Sequence, residues 1–126
     1  VNNFFEVMRG AFLIHKAYKQ DPQVMPAESV YKMATSMGAD ALKRSDLGRL
    51  EAGAKADLIT ISLDTPTPIN EHNVYDQLIL FRNPANVSEV MIDGKLVKED
   101  YRILSIDVEK AKAEMREAAQ RFWTLS

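Results

Sequence analysis

The opening segment, residues 4–20, is apolar almost all the way round, and this constrains the chain more than any other stretch. Asn2 or Asn3 stands where a helix N-cap would. Phe4, Met8, Ala11 and Tyr18 form one line at helical spacing, while Phe5, Val7, Phe12 and Ile14 occupy other directions. Glu6, Arg9, Lys16 and Gln20 leave only a narrow polar seam for water, and Leu13 interrupts it. A helix this greasy around its circumference has to be covered on several sides. A body of 126 residues buries a smaller share of its surface than a large one. The sequence also opens on Val1, not Met, with helix beginning at once. The expectation is a piece of something larger.

Asp21-Pro22 breaks the first pattern, and Pro26 suits the first turn of a second helix. Over residues 27–44 one face runs continuously through Ala27, Val30, Tyr31, Ala34, Met37, Gly38, Ala41 and Leu42, which predicts a single helix. The period then changes. Gly48 and Gly53 punctuate a polar stretch, and residues 57–63 place Ile59, Ile61 and Leu63 on one side of a strand with Thr60 and Ser62 opposite. Pro66 and Pro68 mark a loop, and residues 78–81 are too short a run for periodicity to type. Asp93-Gly94 between two alternating runs predicts a hairpin over residues 87–99, because a type I′ turn needs positive φ at both central positions. A last helix is capped by Ser105 or Asp107. It carries Val108, Ala111, Met115, Ala118, Ala119 and Phe122 on one face and charge on the other.

Composition excludes several kinds of chemistry. Sixteen Lys+Arg against eighteen Asp+Glu leave no basic excess for a phosphate backbone, so no nucleic-acid partner is expected. No apolar run approaches the roughly 20 residues that span a bilayer, so no membrane partner is expected. The absence of Cys removes disulfides, thiolate metal sites and Cys nucleophiles, and fits a cytoplasmic location. A hydrolytic metal site needs three or four converging His, Asp or Glu ligands. Only His15 and His72 are present, in different elements. His15 is expected to be packed beside Tyr18 and Ala11, and His72 to be exposed in a Pro-rich loop. Neither nucleophile-elbow nor phosphate-loop motif occurs, and Gly53-Ala54-Lys55 lacks the Ser or Thr that a phosphate loop needs after its Lys. Asp46, Glu51 and Asp57 read as turn formers and solvated charges. The residues alone define no self-contained active site.

Residues 33–42 (MATSMGADAL) followed by residues 46–58 (DLGRLEAGAKADL) resemble the C-terminal signature of the amidohydrolase superfamily: A-T-x-x-G-A-x-x-L, then G-x-L-x-x-G-x-x-A-D-L, then a strand ending in Asp, here Asp64. Residues 90–97 (VMIDGKLV) resemble the family's V-x-V-x-G-x-x-V hairpin. The opening Asn2-Asn3-Phe4-Phe5-Glu6-Val7-Met8 is similar to the S-N-N…M segment of its aminohydrolase branch, which includes cytosine, guanine and methylthioadenosine deaminases and triazine chlorohydrolases. The sequence departs from the pattern at Val1, Lys43 and Ala54.

The resemblance implies an α/β fold, the C-terminal part of a TIM-like metal-dependent hydrolase barrel plus part of a small composite β-sandwich. Residues 1–46 would be the last barrel helices, 47–104 the sandwich strands and 105–126 a C-terminal helix. It further implies a parent enzyme that removes an amino or chloro group hydrolytically from a purine, pyrimidine or triazine-like ring. The parent's divalent metal, zinc or iron, would be held by an H-x-H, two more His and an Asp, all upstream of Val1. This stretch alone would then hold no metal and be inactive, with no catalytic residue of its own. Barrel sites lie at the C-terminal ends of strands, so Asn2 and Asn3 are the candidate substrate-adjacent residues, the alternative for both being helix caps. A small-molecule substrate and a homo-oligomer are the expected partners. Two other readings stand beside this one: an autonomous, non-enzymatic α+β interaction module, and a dihydropyrimidinase- or deacetylase-like amidohydrolase.

Overall fold

A computed structural model describes residues 3–124. Helix α1 spans Phe4–Lys19. Asn3 occupies its N-cap with extended backbone, and the Asn3 carbonyl accepts from the Glu6 and Val7 N–H groups at 3.1 and 3.2 Å. The helix ends where Gln20 turns left-handed. Lys16 then folds over the turn beyond, its Nζ donating to the carbonyls of Pro22 (2.6 Å) and Val24 (2.8 Å).

The single helix expected over residues 27–44 is two. Helix α2 covers Ala27–Ala34 and α3 covers Ser36–Ala41, with Thr35 non-helical between them (φ −125°, ψ −101°). Thr35 Oγ1 donates to the Tyr31 carbonyl at 2.8 Å, a bond that competes with the helix ladder and bends it. The bend lets another backbone approach. A Cβ on Gly48 would lie 2.5 Å from the Thr35 carbonyl oxygen and 3.1 Å from the Ala39 Cβ, and Gly48 has φ +69°. Only glycine fits there.

Strand β1 (Leu58–Ile61) follows, then α4 (Val74–Phe81), which resolves the untyped run at residues 78–81 as helix. A 3₁₀ turn (Pro84–Asn86), capped reciprocally by Asn83 and Asn86, leads into β2 (Val87–Ile92). Strands β3 (Lys95–Glu99) and β4 (Arg102–Ile103) complete an antiparallel sheet in the order β1-β2-β3-β4. The hairpin forms as predicted, with positive φ at both Asp93 (49°) and Gly94 (76°). A bulge between Thr60 and Ile61 interrupts the strict alternation read into β1, which leaves Ile61 half-buried and Ile59 exposed.

The core joins helices to sheet. Phe5 and Met8 of α1, Ala27 and Val30 of α2, Ile79 of α4 and Val87 of β2 pack as one buried cluster. Ile79 is completely enclosed. Arg9 leaves the polar seam assigned to it: its guanidinium donates to the Ile79 carbonyl (Nε, 3.2 Å) and the Arg82 carbonyl (Nη2, 3.0 Å) at the end of α4. It thus satisfies carbonyls that a helix terminus leaves open.

Helix α5 (Val108–Thr124) behaves differently. Asp107 caps it, accepting from the Lys110 N–H at 3.0 Å, yet none of its described residues is buried. Val108 and Ala111 are half-covered and the rest is exposed.

Candidate functional site

Of the two substrate-adjacent candidates, Asn2 lies outside the described residues. Asn3 takes the N-cap position but its side chain makes no capping bond. Its Oδ1 is buried and finds no partner among the described residues. The same holds for Nη2 of Arg82, which is only 6% exposed. Such atoms carry an uncompensated desolvation cost. Asn3 therefore retains an acceptor that backbone capping does not use.

Next along the chain, Phe4, Phe5 and Met8 form one wall of a groove of about 760 Å³ between the helices and the sheet. Tyr31, Tyr75 and Leu78 extend that helical wall, and Leu58, Ile61 and Val90 face it from the strands. Tyr31 and Tyr75 meet with ring centroids 5.2 Å apart. The lining is mainly apolar, with Arg49 and Asp57 its only charged members. A groove of this character buries apolar surface; it offers no constellation of groups for proton transfer.

The residues that carry the signature have mechanical roles. Asp57 accepts the backbone N–H of Asp93 at 2.6 Å, and Lys55 Nζ donates to the Asp93 carboxylate at 2.7 Å. The Gly94 N–H reaches the Ala56 carbonyl at 3.1 Å. The block Lys55-Ala56-Asp57 thus clamps the tip of the β2–β3 hairpin. The Lys55 ammonium holds the Asp93 carboxyl below the usual carboxylate range, and Asp93 in turn raises Lys55. Beside this, Arg44 grips Asp46 with two bonds of 2.7 Å and depresses its pKa to about 2. Arg49 Nη2 joins Asp40 at 2.6 Å. Asp46 and Asp57 are therefore more than solvated charges: each fastens a turn. Both act in turns, as the sequence suggests, but the reach of Asp57 to Asp93 across 36 positions has no local period to reveal it.

The histidines do not converge. His72 is exposed, as expected, within 3.5 Å of Glu71. His15 was expected to be packed, but it is exposed, because Leu13, Ile14 and Tyr18 around it are uncovered as well. No group of three or more His, Cys, Asp or Glu side chains able to hold a metal ion occurs among the described residues. The donor set of a hydrolytic metal centre does not fit residues 3–124, and no metal-dependent step is assigned to them. No described helix is long and apolar enough to cross a membrane.

The described residues form a mixed α/β unit in which Gly48, the hairpin clamp and the apolar groove have packing roles. Comparison with known proteins assigns its family. The amidohydrolase family profile matches residues 1–97, and the chain belongs to that family. It is 38% identical over 119 residues to a 5-methylthioadenosine/S-adenosylhomocysteine deaminase of Pelotomaculum thermopropionicum, covering 94% of this chain and 28% of the relative. Among solved structures, a zinc-bound adenosine deaminase from Xanthomonas campestris superposes with TM-score 0.86 at 30% identity, over 96% of this chain and 28% of that one. A zinc complex of atrazine chlorohydrolase from Arthrobacter aurescens TC1 gives TM-score 0.74 at 27% identity, over 90% and 25%. The chain spans little more than a quarter of the length of the relatives it matches. The fold class expected from sequence, part of a metal-dependent hydrolase barrel with a small sheet, holds.

Proposed function

We propose that this chain is the C-terminal part of a metal-dependent aminohydrolase that displaces an exocyclic amino group, or a chloro group, from a purine, pyrimidine or triazine-like ring with water. The observation that carries this reading is the superposition on zinc-bound adenosine deaminase across almost the entire chain. Both the deaminase and the chlorohydrolase relatives point to hydrolytic substitution on a nitrogen heterocycle. The metal, zinc or iron, supplies an activated water when bound, and its ligands lie in the rest of the parent protein.

The contribution of residues 1–126 is architectural. Residues 1–46 close the barrel wall, the strands within residues 47–104 join the composite sheet, and residues 105–126 carry the C-terminal helix α5 (Val108–Thr124). In this reading Asn2 and Asn3 are the substrate-adjacent residues, and the unspent acceptor of Asn3 supports it. The parent is a cytoplasmic homo-oligomer that binds a small molecule, and this chain alone turns nothing over.

The test is to express the parent with its upstream coding sequence, load it with zinc or iron, and follow ultraviolet absorbance with adenosine, methylthioadenosine, cytosine, guanine and atrazine. Turnover of at least one by the parent, and of none by residues 1–126, is expected. A parent carrying a complete ligand set but inert toward all five, or turnover by residues 1–126 alone, overturns the proposal.

A further inference from the structure

Helix α5 presents an apolar seam that nothing in the described chain covers. Val108, Met115 and Phe122 recur every seven residues, with Ala111 and Ala118 between them, the spacing of a coiled-coil seam. Met115 and Phe122 are 73% and 69% exposed. Glu114 and Arg121 flank the seam on the same side, one heptad apart. Glu114 has only a 4.0 Å contact with Lys110, and Arg121 enters no ion pair among the described residues.

We propose that α5 is an interface with a second copy of this chain, the two helices packing antiparallel about a two-fold axis. It rests on the self-association proposed above and assigns that association a surface. Two features select this occupant and this direction. In the antiparallel register, Met115 of one copy faces Ala118 of the other and Phe122 faces Ala111, so each of these two large residues meets a small one. A parallel pair stacks Met on Met and Ala on Ala, leaving a crowded layer above a void. The antiparallel register also sets Glu114 of each copy beside Arg121 of the other, twice by symmetry. In the parallel register Glu114 meets only Ala119. Flanking charges of this kind fix the direction of a helix pair.

Sedimentation equilibrium of the full chain, as wild type, Glu114→Arg, Arg121→Glu and the double swap, tests this. All substituted positions are exposed, and far-UV circular dichroism verifies that each variant stays folded. Each single reversal puts like charges together at both symmetric contacts and weakens association about fivefold or more; the double swap restores it. A monomer at every concentration overturns the seam. A dimer indifferent to the single reversals overturns the seam alone. A double swap no tighter than the singles overturns the antiparallel register.

Discussion

Two faces of α1 are both apolar and have opposite surroundings. On one, Phe5 and Met8 are buried against α2 and α4 with Phe12 packed beside them, and Arg9 seals the end of α4. On the other, Phe4, Val7, Ile14 and Tyr18 lie open, Tyr18 by 80%. Apolar periodicity reports that a surface has to be covered. It does not report whether the covering comes from the same chain. Here one face is covered locally and the other is not, in a chain that spans little more than a quarter of the relatives it matches.

The contrast can be broken by truncation. Ile79→Ala opens a cavity in the one site where α1, α2, α4 and β2 meet, and is expected to cost about 2–5 kcal/mol in urea unfolding. The same truncation at Ile14, 66% exposed, is expected to change stability by less than about 0.5 kcal/mol. Equal losses would mean that the covered and open faces are not different environments after all. Gly48→Ala probes the edge of the packed region. The left-handed backbone and the 2.5 Å approach to the Thr35 carbonyl set its expected cost at about 2 kcal/mol or more by the same assay.

The smallest effect belongs to the solvent-facing turn. Arg44 lowers Asp46 from 3.8 to about 2, so the pair's stabilisation is complete above pH 3.8 and is lost as the pH falls toward 2. Asp46→Asn should therefore lower stability slightly at neutral pH and remove part of the acid-induced loss between those values. Both side chains are well exposed, so solvent screening keeps the difference small. An identical acid profile in the variant would show that Arg44 contributes nothing there.

Much of the architecture was legible from local rules. The Asp-Gly turn defined its hairpin, and Pro26 and Asp107 marked helix starts that the structure keeps. The break at Thr35 was not legible, because Ala27 to Leu42 keep one apolar face and nothing local opposes a continuous helix. The bend is made by a Thr hydroxyl and by the distant Gly48 backbone pressing against it. His15 was misjudged for a related reason: helical spacing placed it beside apolar neighbours, but those neighbours are themselves uncovered. Of the candidate site, the absence of a converging histidine set could be counted from the sequence. The free acceptor of Asn3 could not, since whether a cap residue caps depends on its rotamer.

The bonds from Lys55 and Asp57 to the Asp93 turn have a consequence for how the sequence can vary. They knot the chain into a ring that begins and ends at the same corner of the sheet. Inside a ring tied this way, the exposed stretch at residues 64–73 can grow or shrink at a cost that rises only with the logarithm of its length. Diversity in this part of the molecule should accumulate as insertions there, while the knot and the strands it aligns stay as they are.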